Sequence, residues 1–80
     1  MADELVVLSG GSRDGESTTV QEGVRRLLAA SEAPGLLDVY EADGRTQELE
    51  RAGTALVFTH AGQESAEGVA PEALHLPSAR

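Results

Sequence analysis

Four consecutive apolar residues, Leu5-Val6-Val7-Leu8, stop abruptly at Ser9-Gly10-Gly11. An unbroken run of this kind fits a strand covered on both faces, because a half-exposed strand would alternate. The first turn signal falls directly after it, so whatever follows is attached to the end of a buried strand.

The rest of the chain reads as an α/β pattern around that strand. Val20, Val24, Leu27 and Leu28 recur at helical spacing, with Gln21, Glu22, Arg25 and Arg26 on the opposite face. Thr19 and Glu22 stand at capping-box spacing, and Pro34-Gly35 closes the segment, which predicts one helix between them. Leu36 to Tyr40 predicts a second strand ended by Ala42-Asp43-Gly44. Thr46 to Arg51 suits about two turns of helix around Leu49, and Ala55 to Phe58 is a second continuous apolar run.

The expected fold is therefore a βαβαβ core over residues 1–60, with a short three-stranded parallel sheet in the order 2-1-3. Residues 61–80 read as a weakly structured tail, in which Pro71-Glu72-Ala73-Leu74 can open a short helix. At 80 residues the chain makes a single domain with a thin aliphatic core, having one Phe, one Tyr and no Trp. A sheet that stops at its third strand leaves Ala55–Phe58 at an unpaired edge, so a homodimer or a protein partner is expected there.

Charge and composition narrow the partners. Fourteen acidic residues face six arginines and no lysine, a net charge of −8, which repels nucleic acid and anionic membranes. There is no cysteine, hence no disulfide and no thiolate metal site. The acidic start Met1-Ala2-Asp3-Glu4 with only four apolar residues after it reads as neither a signal peptide nor a membrane span, so a cytoplasmic protein is expected.

The segment SGGSRDGEST, residues 9–18, carries three glycines, three serines and a threonine where strand is expected to become helix. Backbone N–H groups, hydroxyls and a helix N-terminus at such a junction suit a phosphate. A Walker A loop is excluded for want of lysine, and Gly10, Gly11 and Gly15 miss the dinucleotide frame. The Ser-Gly-Gly-x-Asp loop of ATP pyrophosphatases begins at Ser9-Gly10-Gly11, but Arg13 stands where its Asp belongs.

The stretch VVLSGGSRDGEST resembles the N-terminal signature of the NADPH-dependent FMN reductases, flavodoxin-like proteins, at Ser9, Gly10, Arg13, Ser17 and Thr18. RAGTALVFTHAGQES is similar to that family's third strand and following loop at Thr59 and Ser65, with His60-Ala61-Gly62-Gln63 in place of Pro-Glu-Tyr-Asn. The resemblance implies the N-terminal half of a flavodoxin-like, doubly wound domain. It further implies FMN held by Ser9, Gly10, Gly11, Ser12, Arg13, Ser17, Thr18, Thr59 and His60, with NADPH as hydride donor and no catalytic side chain. A non-catalytic interaction protein descended from such a reductase is the alternative.

Other sets are weaker. His60 and His75, with Glu64, Glu67 and Glu72 between them, fit no compact zinc spacing. Ser12, His60 and Asp38 can be assembled into a Ser-His-Asp set, but the nucleophile elbow Gly-x-Ser-x-Gly is absent. Arg13 suits a phosphate clamp as well as an exposed loop. Glu48, Glu50, Glu64 and Glu67 read as a solvated face, and Tyr40 as the cap of a strand edge.

Overall fold

The computed structural model describes residues 2–76 and is built almost entirely of strands. They are β1 (Asp3–Ser9), β2 (Ser17–Gln21), β3 (Arg26–Ala30), β4 (Leu36–Leu49) and β5 (Gly53–Ser65), with single 3-10 turns at Gly11–Arg13 and Pro71–Ala73. All five lie in one mixed sheet of order β2-β1-β5-β4-β3. Only β1 and β5 run parallel; the other neighbours are antiparallel.

This corrects the α/β, flavodoxin-like expectation of a three-stranded doubly wound sheet. Neither expected helix forms among the described residues. Thr19, read as a helix cap, sits in mid-strand opposite Leu5. Gly23, at φ +96°, breaks the supposed helix into the turn between β2 and β3. Beyond it Leu27 and Ala29 point into the core at strand spacing, and Thr46–Leu49 continues β4 opposite Gly53–Leu56. Apolar residues three and four apart served two strands and a turn as well as they would have served one helix. The run Ala55–Phe58 is no edge either: it pairs with β1 on one side and β4 on the other.

The sheet must curl, and chain length says why. β2 and β3 are its two outermost strands, yet only residues 22–25 separate them. Five extended residue steps reach at most about 18 Å, whereas the outer strands of a flat five-stranded sheet stand about 19 Å apart. Curling brings the edges together and folds one face inward. That concave face buries Val6, Leu8, Val20, Leu27, Ala29, Tyr40 and Phe58, contributed by every strand. On the convex face Val7, Ala55 and Val57 pack with Leu5 and Leu49, so β1 is covered on both sides, as its unbroken apolar run requires.

Arg13 fixes one end of the curl. Its side chain is 5% exposed, and its guanidinium donates to the Ala30 carbonyl from Nε (3.3 Å) and Nη2 (3.1 Å) and to Glu16 from Nη1 (3.0 Å). The loop after β1 is thereby tied to the last residue of β3. Residues His75 and Leu76 lie along the outer side of β3, where Leu76 bridges Ala29 in parallel and packs against the core.

Candidate functional site

Two irregularities in the β4–β5 pairing shape the concave face. Tyr40 pairs with His60 and Val39 with Gly62, so Ala61 is an extra residue in β5. Residues 60 and 63 of a regular strand point to opposite faces, three being an odd step. The bulge resets the alternation and turns His60 and Gln63 to the side that carries Asp38 and Tyr40. Gly62 makes this possible with φ +141°, a conformation that side chains other than hydrogen rarely adopt.

Asp38 is the hub of the resulting cluster. It is 2% exposed, and three side chains donate to it: His60 Nε2 and Gln63 Nε2 to Oδ1, each at 3.1 Å, and Ser12 Oγ to Oδ2 at 3.1 Å. Burial works to raise its pKa, but the bonds from His60, Gln63 and Ser12 outweigh that and hold it below the usual carboxylate value. The ionised carboxylate only accepts, which makes His60 the donor and places its proton on Nε2.

Tyr40 and Gly11 complete the support. The Tyr40 ring meets the His60 ring edge-on at 5.2 Å between centroids, and its hydroxyl donates to the Gly10 carbonyl at 2.9 Å. Burial pushes this phenol above its ordinary pKa. Gly11 lies so close that a Cβ there would stand 2.7 Å from both His60 Cδ2 and the Tyr40 hydroxyl. Side chains from β4 and β5 and the loop after β1 thus pin the imidazole in place.

Beside this cluster opens a cleft of about 280 Å³, lined by Gly11, Ser12, Ser31, Glu32, Ala33, Asp38, His60 and Gln63. Ser31 Oγ accepts from the Ala33 N–H and from Gln63 Nε2, linking the far wall to the Asp38 cluster. Two acids and one histidine line the cleft, with no arginine among its described walls.

Of the residues expected to hold FMN, the fold gathers Gly10, Gly11, Ser12 and His60. Ser9 ends β1 opposite Thr59. Ser17 and Thr18 pair with Val7 and Val6 in β2. Thr59 faces the other way from His60, donating to Asp43 Oδ2 at 2.5 Å and accepting from Arg45. Arg13 is turned into the structure. The Gly10 N–H donates to Asp14 Oδ1 at 2.7 Å, so a carboxylate of the loop itself takes the place where an anion would bind.

The Ser12, His60 and Asp38 set does meet, but in an order unlike a hydrolase triad. There the histidine stands between serine and aspartate; here the aspartate stands between serine and histidine. Sequence reading missed Gln63, Ser31 and Glu32. A glycine inside a strand pattern is the sign of a bulge, and Gly62 was the available signal for Gln63.

No family model, curated protein or solved structure matches this chain. Among the described residues no helix is long and apolar enough to cross a membrane, and no group of three or more metal-ligating side chains occurs.

Proposed function

We propose that this protein is a non-catalytic binding domain that takes a small polar molecule, or the polar end of a partner's side chain, in the cleft beside Asp38. The observation that carries the reading is the bulge at Ala61–Gly62, which gathers His60 and Gln63 on one buried carboxylate next to an open cleft. Bulges are devices for aiming side chains, and a buried, fully bonded carboxylate holds its partners at fixed positions.

The hydrogen-bonding inventory supports binding over chemistry. Both Ser12 and His60 direct a donor at Asp38, so neither is arranged to activate the other. Glu32 and Asp38 favour a neutral or positively charged hydrogen-bond donor as the ligand. FMN held through its phosphate is the competing reading. It draws support from the convergence of Gly10, Gly11, Ser12 and His60, and loses it through Asp14 at the Gly10 amide.

Titration of the ¹⁵N-labelled protein separates these readings, with agmatine, FMN and a neutral amide, acetamide, as probes. Saturable shifts at Ser12, Ser31, Asp38 and Gln63 with agmatine or acetamide are expected. Shifts confined to residues 9–18 with FMN would favour the flavin reading, and no saturable shift with any probe at millimolar concentration would overturn the cleft as a small-molecule site.

A further inference from the structure

The Asp38 carboxylate takes up the side-chain donors of the cleft wall. Gln63 spends both hydrogens of Nε2, one on Asp38 Oδ1 at 3.1 Å and one on Ser31 Oγ at 3.2 Å. The reverse amide orientation would set Oε1 against the carboxylate, acceptor against acceptor, so Oε1 is the end left over. His60 donates from Nε2 and Ser12 from Oγ, which leaves lone pairs on His60 Nδ1 and on the Ser12 oxygen. Among the described residues Gln63 Oε1, His60 Nδ1 and the exposed Glu32 carboxylate have no hydrogen-bonding partner, and no buried side-chain polar atom lacks one, so Nδ1 is open to solvent. Ser31 is the exception, its oxygen filled by the Ala33 N–H and Gln63 and its hydrogen left to donate.

We infer that the cleft recognises a planar cation that only donates, an amidinium or guanidinium group, with acceptors drawn from Gln63 Oε1, His60 Nδ1 and Ser12 Oγ and with Glu32 as the counter-charge. This deepens the reading of the cleft as a ligand site and rests on it. A guanidinium carries five N–H groups in one plane and no acceptor, so it can meet several such atoms at once. An ammonium is a compact point charge without that fork, and an amide brings an oxygen of its own against the acceptors of the wall. A carboxylate or phosphate meets the Glu32 and Asp38 charges like against like.

Acetamidinium, acetamide and acetate share one planar shape and differ in donors, acceptors and charge, which makes them the probes, with methylammonium as a cation that is not planar. Titrations of the ¹⁵N-labelled full chain at pH 7 and constant ionic strength, followed at the Ser12, Ser31 and Gln63 amides, give the dissociation constants. Acetamidinium is expected to bind roughly tenfold tighter than acetamide, and tighter than methylammonium, with no saturable shift from acetate. In Glu32→Gln, a change at an exposed position, its margin over acetamide is expected to shrink about threefold. Acetamide, methylammonium or acetate binding as tightly as acetamidinium, or an unchanged margin in Glu32→Gln, overturns the assignment and leaves the cleft a site; no saturable shift with any probe overturns both. Two sources share this chemistry. N-acetyl-arginine amide binding tighter than L-arginine points to a partner's side chain, the reverse order to a free guanidino compound, and either supports the proposal.

Discussion

Gly11 carries two constraints at once, a φ of +69° and a neighbour on the side where a Cβ would go. Gly11→Ala must shift either the His60 ring or the Tyr40 hydroxyl, neither of which is a loose side-chain end. We expect a loss of about 2–3 kcal/mol from strain and lost packing together, measured by urea unfolding, with chemical-shift changes reaching Asp38 and Gln63. Asp38 gives a pH prediction of definite sign. Its folded pKa lies below its unfolded value, so its stabilisation is present above about pH 4 and lost as pH falls through the lower, folded value. Asp38→Asn is expected to be less stable at pH 7 and to lose part of the acid slope that the parent shows below about pH 4. The exposed Asp43, held low by Arg45 and Thr59, keeps a share of that slope in both proteins. An unchanged acid slope in Asp38→Asn would show that folding leaves the pKa of this carboxylate where it is in the unfolded chain, against the lowered value.

At the level of elements, the bulge and the Arg13 tie place the site. Gly62→Ala has open space for its methyl group, so the expected cost of about 1 kcal/mol is backbone strain alone; thermal unfolding measures it, and loss of the His60 to Asp38 contact accompanies it. Arg13→Ala removes the donors to the Ala30 carbonyl from a buried position and is expected to cost about 2–4 kcal/mol. An arginine that clamped a ligand phosphate from an exposed loop would cost almost nothing. The strand runs at Leu5–Leu8 and Ala55–Phe58 were legible because burial on both faces demands unbroken apolar residues, and Leu36–Tyr40 because it alternates in part and leads into turn residues. The stretch from Thr19 to Ala30 was not. Its apolar spacing fits a helix in isolation, and only the tertiary pairing of β2 with β1 and of β3 with β4 decides against it. Ser12, His60 and Asp38 were visible as residue types, but their order around the carboxylate depends on a bulge that shifts register by one.

For the molecule as a whole, an outermost pair of strands joined by four residues forces a curl, and the curl brings the loop after β1 over the end of β3. Its consequences reach the question of association. Leu56 and Phe58 have neighbours on both sides, so a second copy finds no free backbone there, and among the described residues unpaired strand edges remain at the outer side of β2 and at Thr46–Leu49 of β4. One contact stands above the others, the donation from His60 Nε2 to a buried, ionised Asp38, since it is what the bulge, Gly11 and Tyr40 combine to fix. Long-range ¹H–¹⁵N correlation spectra of the histidine side chains at pH 7 observe it directly. His60 is expected as the Nε2–H tautomer with a slowly exchanging ring proton that disappears in Asp38→Ala. A His60 ring proton on Nδ1, or a rapidly exchanging ring unaffected by Asp38→Ala, would contradict it.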